Sequence, residues 1–345
     1  MTFFPAVLRR PRLPLPASAA PPLWRGGLLL LLILALLSAA SGAVSIPPWR
    51  IPALLLGDGG NSDDSLWRTL LLEVRLPRII LALWCGAALA MAGGALQALF
   101  RNPLAEPGLI GSSSGAALAA AATLALGGSV LAQAPAAFVG ALAATWLAWR
   151  IGRGRDNAGL LLAGVAINSL AGAGLALLAY LANDIALRGA TFWAMGSLAA
   201  ASWHRLAWLS PALALVGWLL WRQRSALDAL LLGEREAFHL GFDVSALRRR
   251  LLVLSALTVA LTVAACGALA FIGLVAPHLA RRLLGAQHGR LLPTAALLGA
   301  ALLLAADWLA RLVMAPAELP LGVVLSCVGA PFFLFLLWRG ARPSC

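Results

Sequence analysis

The sequence predicts an all-α polytopic membrane protein with about ten transmembrane helices per subunit, arranged as inverted-repeat-like halves. Three observations carry this. Of 345 residues, 61% are hydrophobic and only 11% charged, whereas soluble domains carry about a quarter charged residues. The apolar residues collect into long runs close to the roughly 20 residues a helix needs to cross a bilayer. Gly and Pro break these runs at turns, which lipid tolerates only beside protein or a water-lined cavity.

The expected spans, in order, are 26–46, 76–99, 110–128, 131–149, 159–181, 206–222, 250–270, 274–286, 291–310 and 319–338. The first follows a Pro- and Arg-rich start. A signal peptide is its rival reading, but the apolar core of one is only about 7–15 residues long, so a retained span is expected. The eighth is short and contains Pro277, which predicts a broken or half-length helix. Residues 1–25 form an expected cytoplasmic tail, 26–340 one membrane domain with a cytoplasmic segment at 223–249, and 341–345 a C-terminal tail.

A faint repeat accompanies the count. Residues 75–111 and 248–285 each run from an Arg-bearing start through a long apolar helix. Each then reaches a Gly-Ala-Leu triplet, at 94–96 and 267–269, and a Pro turn, at Asn102-Pro103 and Ala276-Pro277. Five spans separate them, so two such copies would have opposite orientation. The plainer alternative is that helices rich in Ala, Leu and Gly resemble one another.

Charge gives orientation and excludes several functions. All 26 basic residues are Arg, and nineteen fall in segments on the N-terminal side of the bilayer if the spans number ten. The positive-inside rule then puts both termini in the cytoplasm. The formal net charge of +13 is dispersed between apolar runs, which suits anionic headgroups and not nucleic acid. Cys85, Cys266, Cys327 and Cys345 show no paired spacing and read as helix-packing residues. His204, His239, His278 and His288 are scattered, so no metal site is expected. With no Lys in the chain, a phosphate loop ending Gly-Lys-Ser/Thr is impossible. Any ATP hydrolysis therefore belongs to another polypeptide, and no cofactor is expected on this one. No span centre carries an Asp, Glu or Arg, as an ion-coupled carrier usually requires. A membrane-embedded enzyme would need a polar constellation at one depth, and none is evident.

The segment 223–249 is too patterned for a plain linker. Leu227, Leu230, Leu231, Ala237, Phe238 and Leu240 are expected on one side of a short helix or helix pair, and Asp228, Glu234, Arg235 and Glu236 on the other. A membrane-surface amphipathic helix is one reading. Docking of a cytoplasmic protein is the favoured one, since acidic residues do not suit anionic lipid.

Several stretches then resemble the permease subunits of type II ABC importers, the family that imports iron–siderophores, haem and cobalamin in bacteria. They are Arg75-Leu-Pro-Arg78, Arg101-Asn-Pro-Leu-Ala-Glu-Pro107, residues 232–241, Phe271-Ile-Gly-Leu-Val-Ala-Pro-His278 and Glu318-Leu-Pro-Leu-Gly322. The resemblance covers about residues 26–340 and implies a homodimer in the bacterial inner membrane. Two copies of a cytoplasmic ATPase, carrying ATP-Mg, would sit below it and a periplasmic substrate-binding protein above.

Residue by residue, the resemblance implies a coupling helix at 232–241, with Leu232, Gly233, Glu234, Ala237, Leu240 and Gly241 seating in the ATPase. Arg75, Arg78 and Arg311 match outward-facing cations that pair with Glu on the binding protein, a task suited to a bidentate donor. Anchoring at headgroups is the alternative for Arg75 and Arg78. Asn102 and Leu104 match an inner gate, with Asp156 and Asn157 joining it, although these two polar residues depart from the small hydroxyl residues of the family. Asn183 matches an outer constriction. Residues 187–198 are closest to the haem-importing branch: Arg188 faces propionates and Phe192 and Trp193 contact the ring, unless both are ordinary interfacial aromatics. Haem is the expected cargo, with ferric siderophore and cobalamin as alternatives.

Overall fold

The computed structural model describes residues 20–57, 62–152, 157–181 and 193–340, and among these every regular element is helical. In order they are α1 (Ala20–Ala40), α2 (Ile51–Leu56), α3 (Ser62–Thr69), α4 (Leu76–Leu99), α5 (Ser112–Ala125), α6 (Val130–Gly152), α7 (Asn157–Leu181), α8 (Trp203–Arg222), α9 (Arg224–Leu232), α10 (Glu234–His239), α11 (Val244–Cys266), α12 (Ile272–Leu284), α13 (His288–Leu312) and α14 (Leu321–Gly340). Each of the ten expected spans overlaps a helix of this set, though these helices differ widely in length.

Among the described residues, six stretches are long and apolar enough to cross a membrane: Leu23–Ala40, Asp63–Leu99, Leu131–Gly152, Ala158–Leu181, Val244–Cys266 and His288–Leu312. At the other expected positions, α5 and α12 have only 14 and 13 residues, about 20 Å of helix against roughly 30 Å of hydrocarbon. Helix α8 carries His204, Arg205 and Arg222, and α14 offers a shorter apolar stretch, Leu321–Phe335.

Two of the boundaries that differ from expectation have clear local reasons. The first helix ends at Ala40 and not near 46. Ser41 donates its hydroxyl to the Leu37 carbonyl, and Gly42, at φ 157, lies where a Cβ would press on the Arg75 guanidinium. The second span begins earlier, because α3 continues through a π-type stretch, Leu70–Arg75, directly into α4. Pro77 lacks an N–H, and its ring crowds the carbonyl four residues back. The wider turn, in which the Leu76 N–H reaches the Leu71 carbonyl, makes room for it.

Helix α4 is the centre of the bundle, buried along most of its length. It packs on α13, α12, α8 and α11. A Cβ on Gly86 would collide with the Gly299 carbonyl of α13, and one on Gly93 with the Gly273 backbone of α12. The two backbones therefore touch, as small residues permit between membrane helices. The pairings recur in the second half with roles exchanged: α4 packs on α12 and α13 while α11 packs on α5 and α6, and the α5–α6, α5–α7 and α6–α7 contacts match α12–α13, α12–α14 and α13–α14. The two half-length helices hold corresponding places in this scheme. Leu28, Leu29, Leu32 and Ile33 of α1 stay exposed, as a lipid-facing helix requires.

Candidate functional site

Three groups of residues concentrate the polar chemistry of this apolar chain. The first gathers where α1, α4, α13 and the approach to α14 meet. Arg78 donates through Nε to Asp307 at 2.9 and 3.1 Å, and through its two terminal nitrogens to both Glu318 oxygens at 2.8 and 2.9 Å. Arg311 lies 3.3 Å from Asp307, one turn away, and donates to the Ser38 and Ser41 carbonyls. Arg75 donates to the carbonyls of Ala39 and Val44. Asp307 is fully buried.

The three Arg residues expected to face a binding protein are packed within this cluster. Arg75, Arg78 and Arg311 are each under 10% exposed, because Asp307, Glu318 and the carbonyls at the end of α1 take up their donors. Three guanidiniums share two carboxylates, and among the described residues Arg75 has no acidic partner. The cluster keeps one excess positive charge.

The second group joins the two Pro-containing turns. The Glu106 carboxylate accepts the Phe271 N–H at 2.7 Å, and Phe271, at φ 66, opens α12 in the left-handed region. Its ring fills the space a Cβ on Gly329 would need. Glu106 thus links the turn before α5 to the turn before α12, beside a small cavity lined by Leu89, Pro107, Thr262 and Gly273. Asn102 shapes its own turn, accepting the Leu104 N–H at 2.9 Å, and both residues are half-buried. Burial raises the Glu106 carboxyl to about 7, against the opposing pull of the Phe271 N–H. An acid raised in the folded state stabilises most at low pH, and that contribution is lost as pH climbs from its unfolded value through about 7. The thermal midpoint is therefore expected to fall between pH 5 and 8, and Glu106→Gln is expected to flatten that slope. A variant with the parent's slope counts against this assignment.

The third group is the segment 223–249. The apolar side expected there splits in two. Leu227, Leu230 and Ala237 are buried against the bundle, while Leu231, Leu232, Phe238 and Leu240 are exposed, Phe238 by 69%. Gly233, at φ 147, turns the chain between α9 and α10, where a Cβ would strike the Glu236 carboxylate. Gly241, at φ 87, ends the second turn, and Asp243 caps α11 by accepting the Ala246 N–H. Glu234 pairs with Arg248 at 3.0 Å. A cleft of about 350 Å³ opens here between Glu234, Phe238, His239 and Arg248.

Arg101 and His288 tie this segment to the bundle: Arg101 donates to the Leu230 carbonyl at 3.1 Å, and Asp228 accepts both the backbone N–H and the ring Nδ1 of His288 at 2.7 Å. Burial alone would raise the Asp228 carboxyl, but the His288 contacts hold it below the usual carboxylate range.

Asp156, Asn183, Arg188 and Phe192 lie outside the described residues. Asn157 begins α7. Trp193 is half-buried against the core, in a stretch held by Ser197 N–H to the Cys266 carbonyl and by Leu321 and Gly322 N–H to Gly196 and Met195. Cys85 and Cys266 sit buried with sulfurs 3.8 Å apart, and Cys327 is exposed. Among the described residues no cluster of His, Cys, Asp and Glu could hold a metal. The sequence reading missed Glu106, Asp228 and His288 as connecting residues. Only the i,i+4 spacing of Asp307 and Arg311 was a visible hint of pairing.

The model of the FecCD transport family matches residues 30–339. The hemin transport system permease protein HmuU of Yersinia pestis is 44% identical, over 90% of this chain and 94% of its own. The vitamin B12 import system permease protein BtuC of Vibrio cholerae is 43% identical, over 85% and 90%. A solved structure described as an inward-facing conformation of a metal-chelate type ABC transporter superposes with a TM-score of 0.82 at 32% identity, covering 92% of this chain and 99% of that one.

Proposed function

Because the chain belongs to the FecCD transport family, we propose that it is the membrane permease of an ATP-driven importer and that its cargo is haem. The observation that carries the import role is the exposed apolar surface of Leu232, Phe238 and Leu240 on α9, α10 and their turn. It rides on a segment fastened from within by Leu227, Leu230 and Ala237. A short element with a buried inner face and an apolar outer face suits a groove in a cytoplasmic ATPase, with Leu232, Gly233, Glu234, Ala237, Leu240 and Gly241 forming the lever. ATP hydrolysis is then the partner's work, which fits a chain without Lys.

The permease works as a homodimer with both termini inside, and two ATPase copies seat below it. A periplasmic binding protein docks over the Arg75–Arg78–Arg311 cluster. Its acidic residues meet the excess positive charge there, and Arg75, lacking a carboxylate, is the first cation they engage. Asn102 and Leu104, with Asp156 and Asn157, border the inner gate, and Asn183 the outer one. Haem is favoured over the alternatives by the hemin permease relative at 44% identity, with Arg188, Phe192 and Trp193 facing the cargo. Cobalamin is the second reading, favoured by the B12 permease relative at 43%.

The double variant Leu232→Asp/Phe238→Asp is expected to weaken retention of the ATPase about thirtyfold, the effect of losing an interface hot spot, while insertion in the membrane is unchanged. An ATPase that stays bound to this variant removes the coupling assignment. Uptake of haem, ferric siderophore and cobalamin into vesicles holding permease, ATPase and binding protein separates the cargoes, and haem transport no better than the other two rejects the cargo assignment.

A further inference from the structure

We propose that Asp228 welds the coupling segment to helix α13, and that α13 carries the movement of this segment to the outer charge cluster. This rests on reading 232–241 as the ATPase-seating element. No side chain of its own caps the start of α13. Its first residue, His288, instead gives its backbone N–H and its ring Nδ1 to one oxygen of Asp228, which stands in the middle of α9. A carboxylate at a helix N-terminus also meets the positive end of the helix dipole.

His288 is 1% exposed, so its ring is packed in place, while the Asp228 side chain, 34% exposed, reaches it from the edge of the bundle. The flank is closed as well: Arg224 of α9 lies against Gly289, near enough to touch an added Cβ. The start of α13 therefore has little freedom to move apart from α9.

The far end of the same helix bears Asp307 and Arg311. They lie roughly 29 Å and 35 Å along the axis from His288 at 1.5 Å per residue. Asp307 holds Arg78 of α4, and Arg311 holds the end of α1. One helix, continuous through Pro293, thus has the cytosolic lever bonded to its first turn and the binding-protein cluster bonded to its last turns. Along its middle, Gly299 lets it slide or tilt in close contact with Gly86 of α4. A shift of the lever cannot leave the cluster unchanged unless the Asp228–His288 bond opens.

Asp228 is a positioning residue, and its test separates coupling from assembly. In vesicles with the ATPase and binding protein, Asp228→Ala is expected to keep the ATPase bound and its basal turnover unchanged. Stimulation of that turnover by the binding protein is expected to fall about tenfold, within the ordinary range of coupling between sites. Asp228→Asn, which keeps an acceptor oxygen for His288, is expected to recover most of the stimulation. Asp228→Ala with stimulation within twofold of the parent overturns the proposal.

A second measurement leaves Asp228 intact. Spin labels at Ser225→Cys and Val313→Cys, with Cys327 and Cys345 replaced by Ser, are expected to keep their separation between nucleotide-free and ATP-bound complexes. A change of more than about 5 Å, one helical turn, shows that α9 and α13 move apart and overturns the weld. Failure of the parent chain to bind any ATPase sinks the functional reading, whereas lost stimulation in Asp228→Ala alone bears on this link.

Discussion

Asp307→Asn is expected to loosen the end of the bundle where α1, α4 and α13 meet, lowering stability by about 3–5 kcal/mol, the usual result of stranding a buried charge. Asp307 is fully buried between Arg78 and Arg311. The amide keeps the shape but removes the negative charge that lets two guanidiniums share this space. Arg78 retains Glu318, while Arg311 is left with carbonyls and a hydroxyl only. The check is the fraction of detergent-extracted protein that stays monodisperse across a temperature series. The pair Asp307→Leu/Arg311→Met is expected to recover much of the loss, since replacing buried ions with apolar groups of similar size is often neutral or better. If Asp307→Asn melts with the parent, the cluster contributes nothing to the fold.

Gly93→Ala is expected to have a comparable effect through packing alone. Its added methyl falls on the Gly273 backbone, which cannot rotate away as a side chain would. Overpacking commonly costs about 1–3 kcal/mol and more when backbone must move. Here α12 would have to lift off α4, which would also disturb the Glu106–Phe271 bond at the head of α12. Gly172→Ala is the control: nothing lies within 4 Å of its Cβ position, so it is expected to be neutral or to gain up to about 1 kcal/mol of helix propensity. Equal thermal midpoints for the two variants would remove close helix contact as the basis of the bundle's centre.

Both predictions concern residues whose importance differs sharply in how visible it was beforehand. The membrane class followed from composition alone, and the long helices followed from runs of about 20 apolar residues. The half-length α12 was announced by Pro277 and a short run. The segment 223–249 stood out by its pattern, whereas the turns at Gly233 and Gly241 came from the structure. The motifs around Arg75, Arg101, Phe271 and Glu318 led to the family.

Other features had no local signal. Arg75, Arg78 and Arg311 were expected to face outward only because the resemblance implies it, and their immediate neighbours hold no sign of the partners they find. Nothing within a few residues reveals that Asp307, some 229 positions later, closes on Arg78. The apolar residues of 223–249 read as one face, since periodicity shows which side chains align but not how much of that face the bundle covers.

Alone, the chain of residues determined that this protein lives in a bilayer as helices, carries no Gly-Lys-Ser/Thr phosphate loop, and belongs with importer permeases. Those properties depend on composition, run length and short contiguous motifs. Only the tertiary structure decided which charges neutralise one another, that Glu106 ties the two Pro turns together, and that Asp228 is bonded to the start of α13. The reason is physical. Hydrophobic burial is non-directional and is written along the sequence, whereas a hydrogen bond or ion pair exists only when two distant groups arrive within about 3 Å in the right orientation.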